Sequence, residues 1–349
     1  MNFALLMVNI LFSSHLLAIT PTHEPDQKQI ENIKISNKKK IVQKNQNPTP
    51  SKPFVEYQKA QYLSFSDLDS FNSKHIKDTI AKNLPPETYL VVLAGRDSPN
   101  YLKNLKQHYA QIMDENFLKI VFVYEHGFWS RDSLPVPIFV EKPEQDQLAL
   151  VDARYYHGNT PDADISRLFN SPLISHNYYF EGGNILSNSQ GICFVVDNKR
   201  LPPKELFIKN YACKKIITLE HYSGIGHVDE KIKIISDDVA LTNEPRYVSI
   251  LEEQGFQVFM LPSAPGKYAT YANALLINHT VYLPIYNTEN DQIAIKVYKD
   301  LNFNVVPINS EYLSNEGHGS FHCITMVYPE VEMEKLILSL QRHAYRTAF

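Results

Sequence analysis

Short runs of apolar and β-branched residues, interrupted by polar turns, recur along the second half of the chain. Residues 274–277 and 280–283 are two such runs on either side of a polar pair, which is the pattern of a β-hairpin. A helical stretch at 292–301 and a further apolar run at 305–308 follow this hairpin. This order of elements predicts a ββαβ unit.

The same order recurs along the chain. Each further hairpin is followed by a helical stretch and then by another strand, and earlier strands flank one longer helix. These predicted elements are hairpins within 184–196 and 231–242, helices at 204–211, 247–254 and 100–113, and strands at 215–218, 256–259, 89–93 and 120–124.

Five short polar motifs accompany these units at nearly even spacing. They are Trp129-Ser-Arg-Asp132, Glu181-Gly-Gly-Asn184, Gly226-His-Val-Asp229, Tyr271-Ala-Asn273 and His322-Cys323. With Asp132, Glu181, His227, Asn273 and Cys323 as markers, the successive steps are 49, 46, 46 and 50 residues. A period of this length indicates a repeated supersecondary unit.

We therefore predict an α/β fold in which about five ββαβ repeats form a closed, fivefold pseudosymmetric α/β propeller-like disc. Such a disc turns the motifs towards its axis, so residues two hundred positions apart could meet in one pocket. The alternative is an α/β sandwich in which the motif spacing is coincidental.

The first fifty residues differ from the rest of the chain. Residues 1–18 form an apolar run too short to span a bilayer comfortably, and they resemble a secretory signal peptide with possible cleavage after Ala18. No basic residue precedes the run, so a buried or amphipathic N-terminal helix is the alternative. Residues 19–53 are rich in Lys, Pro and Asn and are expected to be a disordered linker. One folded domain is then expected over 54–349.

These segments suggest a secreted or periplasmic protein without stable membrane insertion, with a cytoplasmic location if the N-terminus stays intact. The chain has 349 residues, and its net charge of −4 provides no basic surface for a nucleic acid, which we do not expect as a partner.

Only three cysteines occur in the chain. Cys193 and Cys213 lie among apolar residues, where they could be buried free thiols or could pair with each other. Cys323 differs because it follows His322 and the loop Gly317-His-Gly319, at the fifth motif position. No spacing typical of zinc ligands appears, so we expect neither a metal nor another cofactor.

The evenly spaced motifs supply a thiol, an imidazole and several carboxylates, and this combination suits one kind of substrate. Two carboxylates can bind a planar guanidinium through paired hydrogen bonds. The electron-poor central carbon of that group is open to a thiolate, whose pKa a bound cation would lower. A histidine could protonate the departing nitrogen and later deprotonate a water.

In this order, the motifs resemble those of the guanidine-modifying superfamily, whose fold is the fivefold pentein propeller. The branch that unites agmatine deiminases with bacterial peptidylarginine deiminases is the most similar, and the resemblance covers residues 54–349, which would be the catalytic domain. It implies hydrolysis of a guanidinium to a ureido group and ammonia. The implied roles are Cys323 as nucleophile, His227 as general acid/base, Glu181 as support for the histidine, Asp132 and Asp229 as the guanidinium clamp, and Asn273 as a polar contact.

Two further residues are candidates for substrate binding. Trp129, the only tryptophan, could line the site or belong to the core. Arg154 is the one arginine in the stretch where bacterial peptidylarginine deiminases carry arginines that hold a C-terminal carboxylate, so preference for C-terminal or internal arginine stays open. The chain also departs from its relatives at Leu134, where they usually have glycine, and at Glu316 and His318 in the loop before the thiol.

Four functions remain open at this point. A secreted deiminase of protein or peptide arginine is favoured by the N-terminal segments. A deiminase of agmatine or another small guanidine is the main alternative, followed by an amidinotransferase. A non-catalytic binding protein or a thiol hydrolase of peptides is the fourth, although all the expected reactive side chains are present.

Overall fold

The apolar runs fold into strands that form five separate sheets of three or four strands each. The structure is a computed structural model that describes residues 22–38, 51–124, 126–156 and 160–331. The strands are β1 (Ser51–Pro53), β2 (Ala60–Ser66), β3 (Tyr89–Ala94), β4 (Leu118–Phe122), β5 (Val136–Val140), β6 (Gln147–Val151), β7 (Leu173–Ile174), β8 (Leu186–Ser187), β9 (Ile192–Asp197), β10 (Lys215–Glu220), β11 (Ile232–Ile234), β12 (Val239–Thr242), β13 (Gln257–Met260), β14 (Leu275–Ile277), β15 (Thr280–Ile285), β16 (Asn304–Asn309) and β17 (Met326–Pro329).

Helices alternate with these strands, which makes the fold mixed α/β. The α-helices are α1 (Gln27–Lys38), α2 (Lys74–Lys82), α3 (Pro99–Ala110), α4 (Ser130–Ser133), α5 (Asp162–Leu168), α6 (Lys204–Asn210), α7 (Val248–Glu252) and α8 (Asn290–Asp300). Short 3₁₀ turns cover Glu115–Phe117, Gly182–Asn184, Val228–Glu230 and Pro245–Tyr247, and a π-helical turn covers Leu313–Gly317.

Every sheet contains the same ββαβ order. Its first two strands are antiparallel, and a helix leads from the second strand to a third that runs parallel to it. The five sets are β5-β6-β7, β8-β9-β10, β11-β12-β13, β14-β15-β16 and β17-β2-β3, with β1 added beside β5 and β4 beside β3.

One sheet joins the two ends of the folded chain. Strand β17 pairs antiparallel with β2, and Met326 lies opposite Ser64. The first strand of this ββαβ set therefore comes from the C-terminal part of the chain and the other two from the N-terminal part. Cys323, three residues before β17, is thereby held beside the start of the domain.

The core is made by strands covered on both faces. Leu90, Val92 and Leu93 in β3 are fully buried, as expected for a strand paired in parallel on both sides. Fully burying such a side chain stabilises the fold by roughly 1.5–3 kcal/mol. The apolar cluster that contains Leu90 and Val92 also includes Trp129 and Cys323, so the core directly supports the motif residues.

The N-terminal region differs from the expected disordered linker over 19–53. Residues 22–38 are described and contain α1, and β1 begins at Ser51, before the expected domain start at residue 54. Helix α1 has few apolar residues, and only Ile33 and Asn37 are buried. It is ordered because it packs on a surface that the domain supplies, a contribution that local composition does not reveal.

The expected signal peptide, residues 1–18, lies outside the described residues. Within the ranges that are described, no helix combines the length and the apolar character needed to cross a membrane.

Cys193 and Cys213 form a disulfide, which decides between the two alternatives left open by the sequence. Their Cα atoms are 5.7 Å apart. The bond links β9 to the residues just before β10, so it closes one ββαβ unit across its helix. Cys323 is the one free cysteine.

Candidate active site

The five marker residues occupy equivalent places in the five sheets. Asp132 lies in α4 just before β5, and Glu181 and His227 each begin a 3₁₀ turn that leads into β8 or β11. Asn273 and Cys323 stand two and three residues before β14 and β17. All five side chains are buried.

Gly183 marks the point at which the polar atoms of several motifs converge. A Cβ atom on this residue would lie 2.8 Å from His227 Nδ1, 3.0 Å from Asp229 Oδ2 and 3.2 Å from Asp132 Oδ1. Its backbone N–H donates to Asp132 Oδ1 at 2.8 Å. A side chain here would displace the polar groups, so the glycine is needed for this close approach.

The thiol of Cys323 faces the same group. Its Sγ donates to Asn273 Oδ1 at 3.3 Å and lies 3.8 Å from Asp229 Oδ2. Burial, together with the carboxylates of Asp229 and Asp132, raises the pKa of Cys323 well above its ordinary value. A neutral thiol is therefore favoured in this arrangement, and a cation between the carboxylates would oppose that effect.

His227 lies between two carboxylates. Its Nε2 is 3.1 Å from Glu181 Oε1, and its Nδ1 is 3.9 Å from Asp132 Oδ1. Burial lowers the pKa of His227, but the charges of Glu181 and Asp132 outweigh it and raise this pKa to about 9. The imidazole is thus mostly protonated at neutral pH and can donate a proton.

Glu181 is held in turn by Arg200, a residue for which the sequence carries no motif. Arg200 donates through Nε to Glu181 Oε2 at 2.8 Å and through Nη2 to Glu181 Oε1 at 3.2 Å. Burial raises the pKa of Glu181, but the charges of Arg200 and His227 lower it by more, so the carboxylate stays ionised. The sequence pointed to Arg200 only indirectly: a buried carboxylate such as Glu181 requires a cationic partner, but the sequence does not show which residue that is.

A second set of charges, buried except for the partly exposed Glu56, supports Asp229. His322 Nδ1 hydrogen-bonds Asp229 Oδ2 at 2.6 Å, and its Nε2 lies 2.7 Å from Glu56 Oε1. Glu56 also pairs with Arg131 and, at 3.1 Å, with Lys233. Burial opposes ionisation of Asp229, but the His322 hydrogen bond and charge lower its pKa. Glu56 and the supporting role of His322 were missed by the sequence reasoning.

The two remaining predicted residues behave differently. Trp129 is a core residue that also lines the site, since its ring stacks on those of His23 and Phe71. Arg154 contacts Tyr179, and its part in substrate binding stays a prediction. Its guanidinium carbon lies 5.9 Å from the ring centre of Tyr179, in a residue whose φ is 45°.

The site also contains His23, from the segment expected to be disordered. His23 is fully buried and donates through Nε2 to Asp132 Oδ2. Its ring stacks on Trp129 with centroids 4.4 Å apart and an interplanar angle of 10°, and it meets the ring of His227 edge-on at 5.0 Å. No sequence motif pointed to this residue.

His23, Asp132 and His227 also form the one group in the described ranges whose arrangement could hold a metal ion, with ligand atoms within 4.8 Å of one another. A metal requires a neutral imidazole, whereas the pKa of His227 is raised to about 9. His23 and Asp132 are already in direct contact. The donor set therefore fits an ion pair better than a metal, and the absence of a cofactor stays a prediction.

Comparison with known proteins connects this geometry to a family. The sequence model described as Porphyromonas-type peptidyl-arginine deiminase matches residues 64–329. A provisionally named agmatine deiminase of Streptococcus mutans serotype c is 30% identical over 95 residues. That match spans 26% of this chain and 26% of the curated relative.

Solved structures share the fold. The C. jejuni agmatine deiminase aligns with a TM-score of 0.63 and 21% identity, over 80% of this chain and 96% of that one. A structure described as the agmatine deiminase of Enterococcus faecalis catalysing its reaction aligns with a TM-score of 0.65 and 16% identity, over 83% and 100% of the two chains.

Proposed function

The chain belongs to the family of Porphyromonas-type peptidyl-arginine deiminases, and from this premise we propose that it converts arginine in proteins or peptides to citrulline with release of ammonia. Deiminases are hydrolases of amidine C–N bonds, and the chain is an enzyme of this class. The observation that carries the proposal is the convergence of Asp132, Asp229 and His227 around Gly183, with the Cys323 thiol beside Asp229.

Substrate binding is proposed to prepare the nucleophile. The guanidinium would lie between the carboxylates of Asp132 and Asp229, which match its planar N–H groups. Its positive charge would offset the two carboxylates that now raise the pKa of Cys323, so the thiol would lose its proton when substrate binds.

Two chemical steps would follow. The Cys323 thiolate attacks the central guanidinium carbon, and the His227 imidazolium protonates one nitrogen, which leaves as ammonia. A covalent amidino-thioether stays on the enzyme. Neutral His227 then takes a proton from water, the hydroxide attacks the same carbon, and the C–S bond breaks to release the ureido product. Glu181, held by Arg200, would keep the imidazole oriented and basic enough to act in both steps.

We also propose the finer architecture and location. Five ββαβ sets with one motif residue each support a fivefold pseudosymmetric pentein propeller around the site. The signal-like residues 1–18 and the Cys193–Cys213 disulfide support a secreted or periplasmic protein, because such bonds persist in oxidising compartments.

Deimination of agmatine or another small guanidine is the second candidate, and the curated relative that carries the agmatine deiminase name favours it. The two can be separated by assay. The chain is incubated with agmatine, free arginine, and peptides with internal or C-terminal arginine, and ureido product and ammonia are measured. A His23→Ala variant is assayed in parallel because His23 contacts Asp132. Cys323→Ala should remove turnover. The proposal would be contradicted if none of the four substrates yielded a ureido product, or if Cys323→Ala kept its full turnover.

A further inference from the structure

Residues 22–38 lie over the site, and one of them enters it. We propose that this segment is an intramolecular pseudosubstrate, in which His23 takes the place of the substrate guanidinium and shields Cys323 until the segment is displaced. The proposal rests on the proposed function, because it assigns His23 the position of an arginine side chain. It adds that the enzyme binds polypeptide across the mouth of its site.

The contacts of His23 are those expected of a bound planar hydrogen-bond donor such as a guanidinium. The imidazole donates to Asp132, one of the two proposed clamp carboxylates. Its flat face lies against Trp129, which is how a guanidinium also stacks on an aromatic ring. The backbone N–H of His23 donates to Gly317 O at 2.8 Å. The residue is therefore fixed by main chain and side chain together.

Glu24 fastens the segment just outside the pocket. Its carboxylate pairs with Lys267 at 3.1 Å, accepts a hydrogen bond from the Tyr268 hydroxyl and lies 3.9 Å from His318 Nδ1. The rings of Tyr268 and His318 stack at 3.8 Å. His318 is one of the bulky residues in the loop before Cys323, so this loop contributes directly to holding the segment.

Helix α1 is anchored farther out by two residues. Asn37 donates to the carbonyls of Tyr179 and Arg200 at 3.0 and 3.2 Å, and it accepts from the Tyr179 N–H at 3.0 Å. Ile33 is buried in a small recess that Tyr156 and Leu201 also line. Arg200 is the residue that holds Glu181, so the helix touches the frame of the site.

The closed arrangement leaves no path to the thiol. Asp132, His227 and Cys323 are each 0% exposed while His23 is in place. Helix α1, which follows His23, makes few buried contacts, because Ile33 and Asn37 are its only buried residues. Elements with so little buried surface open at low free-energy cost. The segment can therefore give way to a competing substrate.

A substitution in the full chain tests this directly. If His23 competes with substrate, His23→Ala should lower the apparent KM about tenfold or more while leaving kcat nearly unchanged, because a larger fraction of the enzyme is open. His279→Ala, at an exposed turn, is the matched control and should change neither constant. An unchanged KM in His23→Ala would overturn the proposal.

Two readouts do not depend on turnover. Trp129 is the only tryptophan, so its emission reports on the ring stacked against it, and Cys323 is the one free cysteine, so alkylation reports on its access. Both emission and alkylation rate should change in His23→Ala and not in His279→Ala. If they change but no guanidine is turned over, the covering role stands and the proposed function fails. If neither changes, the segment does not cover the site.

A second variant turns the pseudosubstrate into a substrate. In His23→Arg, the segment should present a guanidinium to Cys323 in the same molecule. One C–N bond breaks, oxygen from water enters and ammonia leaves, which mass spectrometry detects at position 23. The rate of this modification should be independent of protein concentration. No modification should occur when His23→Arg is combined with Cys323→Ala in the same chain. His279→Arg should stay unmodified. An unmodified residue 23 in a chain that deiminates added peptide would contradict the proposed placement.

Discussion

At the scale of single residues, the site is built from two sets of buried ion pairs that each end on a proposed reactive group. Arg200 and Glu181 lead to His227, and Glu56 and His322 lead to Asp229. Buried charges are tolerated when they are paired in this way. The two sets therefore separate control of the proposed acid/base from control of the proposed clamp.

The first set sets the pH range of the reaction. Glu181→Gln should remove the main charge that raises the pKa of His227 to about 9, and this pKa should fall by about one unit or more. Since the proposed first step needs the imidazolium, the alkaline limb of the pH–rate profile should move to lower pH. Asp229→Asn should instead weaken substrate binding and slow the reaction with a smaller shift of that limb. If Asp229→Asn moved the alkaline limb more than Glu181→Gln did, the roles of Glu181 and Asp229 would be reversed.

The second set should matter for stability. Glu56→Gln removes a largely buried carboxylate that faces Arg131, Lys233 and His322. Breaking a fully buried pair typically costs about 3–5 kcal/mol, and the loss here should lie near the lower end of that range because Glu56 is 12% exposed. Denaturant unfolding measures this loss. Glu330→Gln is the control, because its pair with Lys59 is exposed and should contribute little. Equal stability of the Glu56 and Glu330 variants would show that the buried network is not needed.

At the scale of elements, the sequence predicted the strands well because each hairpin carries its own pattern. β14 was expected at 274–277 and is found at Leu275–Ile277, and α8 differs from its expected range by two residues at most. The motif residues could also be placed, since their spacing follows the repeat. Glu56, Arg200 and His23 could not be placed, because no local pattern encodes their pairing: even the shortest separation, between Arg200 and Glu181, is 19 residues.

Helix α1 shows the same limit for a whole element. Asn37→Ala should loosen it, since three hydrogen bonds are lost at about 0.5–1.5 kcal/mol each. Amide hydrogen exchange within residues 27–38 should then become faster while the sheets are unaffected. Asn32→Ala, on the exposed side of the same helix, controls for helix propensity. Similar exchange in both variants would mean that Asn37 does not anchor the helix.

At the scale of the whole molecule, the proposed reaction needs only the protein, its substrate and water. The guanidinium brings its own charge and the thiol its own nucleophilicity. Treatment with EDTA should therefore leave the rate unchanged, as measured by ammonia release from untreated protein and from protein treated with the chelator. A strict requirement for calcium or zinc would contradict this expectation, and the His23, Asp132 and His227 group would be the first place to look for the ion.

The disulfide connects the stability of the whole molecule to its proposed location. Cys193 and Cys213 are 20 residues apart, and closing a loop of this length restricts the unfolded chain by about 3 kcal/mol. Replacing both by Ala should lower the free energy of unfolding by about that amount under oxidising conditions, with alanine chosen because both sites are buried. Reductant should lower the free energy of unfolding of the original chain by a similar amount and leave that of the double variant unchanged. If reductant has no effect on the original chain, the bond does not form in solution, and the support that it gives to an oxidising compartment is lost.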